Sequence, residues 1–431
     1  MGRRVLLTAL GTRPNPTRYR LGNREDVEPA AVCPIAVVRL VEAERRPTHV
    51  YAIVTPAARE QSFRALQEGL EAIDPAIVVL PIDVPDLGDG SGLGRMIELI
   101  AAVFEPKDKL TLDVTHGLRH MPFLMYALSL YVTVLRDVEL DAAYYGALEG
   151  GADAAAAKPI LDLGPLLELP RWFQAVEVFR DSGNASRIAK LVRERNRRRI
   201  EGREHPLAVA NLAELLSKGS TALASGLPIE AGMEAAGAVV QIENGKLADA
   251  LHDVPLAERL GSLIREHLES IAVDRQVVKV KSDLSLDAAE LDRQLRVIAI
   301  LLESGDVSGA AGNLREWIVS WMLWRSNPEA PLQAKAWLSK DARSQTEKKL
   351  GRLSDGLKRP GTRDGYDENQ RRFADIWDKC LTVRNGLAHC GMGPDTVSPE
   401  SNKKDADELL QFATAVLASP PPVPADLVPE S

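Results

Sequence analysis

Near its C-terminal end the chain reads Arg384-Asn385-Gly386-Leu387-Ala388-His389, a fixed cation and an imidazole five positions apart. An imidazole moves a proton near neutral pH, and a guanidinium holds a phosphate bidentately. Together they suit cleavage of a phosphodiester without a metal. The hexapeptide lies in a helical pattern that starts near Phe373. Five residues along a helix turn through about 500°, so Arg384 and His389 point about 140° apart. One copy makes a poorly converged site, whereas two copies facing each other across a two-fold axis each supply what the other lacks. The bland alternative is a helix-terminal Arg and a capping His with no catalysis.

A second constellation is Asp113-Val114-Thr115-His116-Gly117-Leu118-Arg119-His120-Met121-Pro122. A strand pattern ends here in a hydroxyl, an imidazole and a flexible Gly, just ahead of a helix whose amides can receive an anion. Pro122 fits that helix's first turn. Thr115 can instead merely cap the helix, with His116 packed beside it. Gly11-Thr12-Arg13-Pro14-Asn15 ends an earlier apolar run. It lacks the glycine spacing of a dinucleotide fingerprint, and the chain has no phosphate-loop Gly-Lys-Ser/Thr.

The elements that must position these residues follow from patterning. Val5–Leu10 is a continuous apolar run that reads as a buried parallel strand. Further strands are expected at His49–Thr55, Ala76–Ile82, Leu110–Val114 and Leu140–Tyr145, with helices over Ala57–Ile73, Arg95–Phe104 and Pro122–Leu135 between them. This alternation predicts a Rossmann-like α/β domain, a doubly wound parallel sheet with helices on both faces, over residues 1–180. In such sheets ligands sit beyond the carboxyl ends of the strands, where both Gly-containing turns lie. Asp86–Gly94, with four Gly in nine residues, reads as a mobile loop.

From about Asp181 the pattern becomes helical, so the C-terminal half is expected to be all-α. Residues 181–284 read as a helical connector, 285–418 as a second domain and 419–431 as a disordered Pro-rich tail. Arg187–Glu204 holds eight Lys/Arg against three Glu, either a solvated helix face or a basic groove for RNA backbone. Helices are expected over Leu207–Ala224 and Ile229–Ala250, and Val277–Asp283 is a short β-like stretch. Leu291, Leu295, Ile298 and Leu302 mark one face of an amphipathic helix. A turn at Ser304-Gly305-Asp306 leads into a helix from Val307 to Trp324, whose Trp317, Trp321 and Trp324 suit a core better than a base-stacking platform.

Composition bounds the function classes. A chain of 431 residues implies two or three domains, and 45% hydrophobic with 26% charged content is ordinary globular protein. A net charge of −8 argues against a broad nucleic-acid-binding surface, so any nucleic acid must meet a local patch. Cys33, Cys380 and Cys390 have neither metal-ligand spacing nor a disulfide framework, which points to a reducing cytoplasm. The N-terminal apolar run is too short for a signal peptide, and Met121–Leu135 is too short to span a membrane. His116 and His120 are four apart, but a strand-end Thr-His-Gly is better explained by ligand contact than by zinc.

An α/β domain carrying Asp-Val-Thr-His-Gly-Leu-Arg-His-Met-Pro, followed by a helical domain carrying Arg-Asn-Gly-Leu-Ala-His, resembles the CRISPR-associated CARF–HEPN ribonucleases, accessory effectors of type III CRISPR defence. Leu302-Glu303-Ser304-Gly305-Asp306 with Ala310–Trp317 is similar to the opening helical pair of a HEPN domain. The resemblance covers nearly the whole chain, although residues 181–284 match only as a connector. It implies a homodimer or higher homo-oligomer in which two CARF domains bind a cyclic oligoadenylate activator and two HEPN domains form one RNase site. Carried over, Gly11 and Thr12 match the first ligand-facing turn, and Thr115, His116, Gly117 and Arg119 the second. Arg384, Asn385 and His389 match the catalytic motif. The rigid Thr-Arg-Pro-Asn-Pro after Gly11 departs from the expected ligand loop and leaves the adenine contacts open.

The residue chemistry fits single-stranded RNA as substrate. A base that removes the proton of a 2′-hydroxyl starts in-line attack on the adjacent phosphorus, giving a 2′,3′-cyclic phosphate and a 5′-hydroxyl. His389 is the candidate base or acid, an effect typically worth about 10²–10⁴ in rate. Arg384 would hold the phosphorane charge, and Asn385 would orient a neighbour or the phosphate. No metal or other cofactor is expected. Two alternatives stay open: a nucleotide-sensing regulatory protein whose helical half only scaffolds, and an added ring-nuclease activity in which Thr12 or Thr115 positions a ribose hydroxyl.

Overall fold

A computed structural model describes residues 2–84, 93–147, 156–201, 205, 207–326, 330–388, 392 and 398–423. The chain divides into two compact units, Met1–Leu169 and Pro170–Ser431.

The first unit is built on one eight-stranded sheet: β1 (Arg4–Ala9), β2 (Tyr19–Leu21), β3 (Arg24–Glu25), β4 (His49–Val54), β5 (Val78–Asp83), β6 (Lys109–Asp113), β7 (Glu139–Gly146) and β8 (Lys158–Asp162). Their order across the sheet is β3-β2-β8-β7-β6-β1-β4-β5. The five strands expected from apolar runs form the parallel centre, with β1 between β4 and β6. The sheet is nevertheless mixed, because β8 runs antiparallel to β7 and β3 antiparallel to β2.

Side chains alternate along β1. Val5, Leu7 and Ala9 pack on one face with the helices Leu93–Ala101 and Met121–Leu135. Leu6 packs on the other with Cys33–Leu40 and Arg64–Glu71. Helices therefore cover both faces, as a sheet with buried central strands requires.

The helix expected over Ala57–Ile73 is not uniform. It opens at Pro56, where Thr55 accepts a hydrogen bond from the Ala58 amide at 3.3 Å. It then widens into a π-turn at Arg59–Phe63 before resuming at Arg64. Of the Gly-rich stretch 86–94, residues 86–92 lie outside the described residues, and Leu93 and Gly94 open a helix. Of the tail 419–431, residues 424–431 lie outside them too.

The second unit is helical throughout its described regular structure, apart from one isolated β-bridge between Leu286 and Leu332. The β-like stretch Val277–Asp283 forms no strand. Its end is a single 3₁₀ turn, Lys281–Asp283, held by Asp283, which accepts from the Lys279 and Val280 amides at 2.9 and 3.0 Å. The helix expected over Ile229–Ala250 breaks into Pro228–Glu243 and Lys246–Ala250, because Gly245 turns left-handed at φ 78°. That expected over Leu207–Ala224 starts later, at Ala210.

Ala288–Glu303 and Val307–Arg325 form the expected pair. Gly305 turns between them at φ 83°, and Asp306 caps the second helix by accepting from the Gly309 amide at 2.8 Å. The helices Glu368–Ala388 and Pro399–Ala418 pack against this pair. Trp317 and Trp321 are buried between them. Trp317 donates to the Leu291 carbonyl at 2.9 Å, and Trp321 stacks on Phe373 at 5.3 Å. These tryptophans are core.

Candidate functional sites

Chain order places the first site. Among the five parallel central strands, the chain passes from β1 to β4 and β5 on one side, then returns to β6 and β7 on the other. The strand order thus reverses between β1 and β6, and a crevice opens beyond the carboxyl ends of strands at such a point. Gly11-Thr12 follows β1, and Thr115–Arg119 follows β6. The two turns touch: a Cβ on Gly11 would lie 3.8 Å from the Gly117 amide nitrogen, and one on Gly117 would lie 2.8 Å from the Ala9 Cβ. Gly117 itself has φ 99°, a conformation open to glycine.

Beneath the turns lies a buried polar cluster. Asp113, fully buried, accepts from the Thr8 hydroxyl at 2.7 Å and from the Thr115 hydroxyl at 2.5 Å. The Thr115 oxygen in turn accepts from the Gly146 amide at 2.7 Å, tying β6 to the end of β7. His116 accepts from the Cys33 amide through Nε2 at 2.9 Å, which leaves the proton of a neutral ring on Nδ1. Burial holds the His116 pKa below its ordinary value, against the pull of Asp113. Burial also pushes the Cys33 thiol well above its usual range, and Asp113 adds to that. Gly146 leaves room for this packing, since a Cβ there would come within 2.8 Å of both the Cys33 sulfur and the Tyr19 ring.

Four of the six residues expected at the ligand turns, Gly11, Thr12, Gly117 and Arg119, lie in the two turns beyond the strand ends, and Thr12, Gly117 and Arg119 are exposed there. Thr115 and His116 sit behind them, with their polar atoms engaged inside the domain. Sequence reading assigned no role to Ser62, whose hydroxyl donates to the Gly11 carbonyl at 2.6 Å from the π-turn. A π-turn of this kind often marks a functional position. Thr8, Cys33 and Asp113 were likewise given no role. For Asp113 a signal existed: an acid two residues before Thr115, at the inner end of a buried strand.

The second site is the end of the helix Glu368–Ala388. Phe373, Ala374, Trp377, Cys380 and Val383 form its buried face. Arg384 and Asn385 follow in the last turn and are exposed, and Arg384 donates to the Asn385 side-chain oxygen at 3.0 Å. His389 and Cys390 lie outside the described residues. A half-buried cation, Arg315, lies over Trp377 at 5.7 Å and pairs with Glu347 at 2.7 Å and with Glu316. Glu316 is shared with Arg343 at 2.6 Å. Burial pushes the Cys380 thiol up to about 12, against the opposing pull of Arg315 and Arg384. Both cations therefore act on the same stretch of the motif helix.

Among the described residues no group of three or more His, Cys, Asp or Glu side chains is placed to hold a metal ion. No described helix is long and apolar enough to cross a membrane.

No family model matches the chain. A CRISPR-associated protein of Methanocaldococcus jannaschii is 33% identical over 85 residues, 20% of this chain. The chain spans about 13% of that protein's length in the match. Among solved structures, Enterococcus italicus Csm6 bound to cyclic hexa-2′-fluoro-hexa-dAMP aligns over 99% of this chain and 96% of its own. The TM-score is 0.39 and the sequence identity 13%.

Proposed function

We propose that the chain is an endoribonuclease of type III CRISPR defence, switched on by a cyclic oligoadenylate and independent of divalent metal. The observation that carries the reading is the meeting of the Gly11 and Gly117 turns at the point where strand order reverses. The Arg384-Asn385 pair in the helical unit supplies the second half, and the short match to a CRISPR-associated protein supports the setting. In this reading Thr12, Arg119 and the turn amides face the ring. Thr115 and His116 hold the turn in shape and present the Nδ1 proton of His116 to it.

The chemistry follows from the motif. One His389 accepts the 2′-hydroxyl proton, the 2′-oxygen attacks phosphorus, and the bond to the 5′-oxygen breaks as a second imidazole returns a proton to the leaving group. Arg384, held by Asn385, donates to the phosphorane oxygens. Two copies of the motif are needed for two imidazoles, so the active species is a homodimer. An uncovered apolar stripe supports that assembly: Phe123, Tyr131, Val134 and Leu135 are exposed on the helix that begins at the Arg119 turn. A two-fold axis along this face would bring two ligand turns to one symmetric ring.

The test is incubation of the protein with single-stranded RNA in EDTA, with and without cyclic tetra- or hexa-adenylate. Activator-dependent products ending in a 2′,3′-cyclic phosphate are expected. Binding of the ring with RNA left intact would instead assign the chain to a nucleotide-sensing regulator, and cleavage that needs added metal would overturn the mechanism.

A further inference from the structure

The helical segment that follows β4 buries Ala58, Ser62, Leu66 and Leu70 along one stripe. Ser62, fully buried, is the polar exception among them. Steps of four residues drift by about 40° each on a regular α-helix. The π-turn Arg59–Phe63 takes up part of that drift and keeps Ser62 on the stripe. A buried hydroxyl where an alkyl group would serve needs a polar partner, and its partner is the Gly11 carbonyl at 2.6 Å.

That bond orients a peptide unit. The Gly11 carbonyl and the Thr12 amide share one trans plane, so they point in opposite directions. With the carbonyl turned to Ser62, the Thr12 N–H is aimed away from the segment that bears the serine. That segment follows β4, and β4 and β6 flank β1 on opposite sides. Among the described residues nothing accepts from the Thr12 amide. Thr12 is exposed beyond the strand end, and its neighbour Gly11 lies beside the Gly117 turn. Gly11 leaves this peptide unit free to rotate, and the bond to Ser62 removes that freedom.

We propose that Ser62 is a positioning residue for the activator: its bond to the Gly11 carbonyl holds the Thr12 amide toward the crevice, where that amide donates to a phosphate oxygen of the ring. The inference rests on the ring-binding reading above and adds to it one contact and the side chain that fixes it. Backbone amides are common donors to phosphate oxygens, and a bond to a charged acceptor is stronger than a neutral one. A donor already fixed in direction binds with less ordering cost.

The test compares Ser62→Ala with Ser129→Ala. Ser129 is also a buried hydroxyl of the first unit, and it donates to the Tyr126 carbonyl at 2.7 Å within its own helix. Calorimetry follows binding of cyclic tetra- and hexa-adenylate, and thermal unfolding follows stability. Ser62→Ala should weaken the ring about tenfold, the scale of one hydrogen bond to a charged group. Ser129→Ala should change stability alone. Ser62→Cys, close in shape and a weaker donor, should bind with intermediate affinity and covers loosening of the fold by Ala. A direct readout is the Thr12 amide in protein carrying isotopically labelled threonine, its resonance assigned by its loss in Thr12→Ser. Added ring should move that amide proton downfield in the wild type and much less in Ser62→Ala.

Unchanged affinity in Ser62→Ala, equal losses in Ser62→Ala and Ser129→Ala, or a Thr12 amide that the ring leaves unmoved would overturn the proposal. In each of those cases ring binding by the wild type keeps the sensing reading standing. A wild type that binds no ring would overturn both.

Discussion

His116 accepts from the Cys33 amide through Nε2, and a protonated ring could not. Burial keeps its folded pKa below 6.5, so the unfolded chain binds the proton more readily and stability rises with pH through that window. The contribution is complete above about pH 6.5 and is lost as pH falls from there through the folded value. Urea midpoints should therefore drop between about pH 7 and about pH 5.5. His116→Gln, whose amide oxygen can still accept from Cys33, should flatten that drop. His267, also lowered by burial, leaves a residual slope in the second unit. A drop as steep as the wild type's would remove His116 from the account. Thr115 gives a second residue-scale prediction. Its hydroxyl donates to buried Asp113 and accepts from the Gly146 amide. Thr115→Val keeps the shape and strands both partners, so a loss of about 2–4 kcal/mol in denaturant unfolding is expected.

At the scale of elements, the two glycines of the crevice should respond differently. Gly117 is left-handed and a Cβ there meets Ala9, so Gly117→Ala should cost about 1–3 kcal/mol and part the turns. Gly11 has nothing nearer than 3.8 Å, so Gly11→Ala should hold stability within about 0.5 kcal/mol. It would still crowd the crevice, and activator affinity by calorimetry should fall. Equal affinity would place the ligand elsewhere. The same contrast explains what the sequence disclosed. β1 and β4 were legible because strands buried on both faces read as apolar runs, β6 showed itself through Leu110 and Leu112, and the two glycine turns that meet beyond β1 and β6 were reached by following these stretches to their ends. Cys33–Leu40, rich in Val and Ile and buried nearly all round, shows no helical period, so the helix that meets His116 was missed. The short β2 owes its place in the sheet to β8, a contact distant in sequence, and β3 follows only as the local antiparallel partner of β2. Arg384 and Asn385 were legible as a motif, but Arg315, 69 positions earlier, is joined to their helix only by packing over Trp377.

At the scale of the whole molecule, the proposed sensing turns and the proposed cleavage motif lie in different compact units, Met1–Leu169 and Pro170–Ser431. Variants should therefore separate the two. His389→Ala, or Arg384→Ala in the exposed last turn of its helix, should abolish RNA cleavage while leaving the fold, the oligomer and activator binding as in the wild type. Arg119→Ala should do the reverse, moving the activator dose–response to higher concentration while a saturating dose still restores cleavage. Such a pattern expresses a coupling free energy between two sites, typically about 1–3 kcal/mol, or a five- to 150-fold change in apparent affinity. The measurement is initial cleavage rate against activator concentration for the three variants and the wild type, with ring binding followed in parallel. If His389→Ala and Arg384→Ala both cut RNA as well as the wild type, the hexapeptide is a helix terminus and the chain is a sensor alone. If Arg119→Ala shifts nothing, the ring is held away from the β1–β6 crevice. Linkage adds a check that needs no further variant: an uncut RNA analogue that binds the active form more tightly must lower the activator's dissociation constant by the same factor.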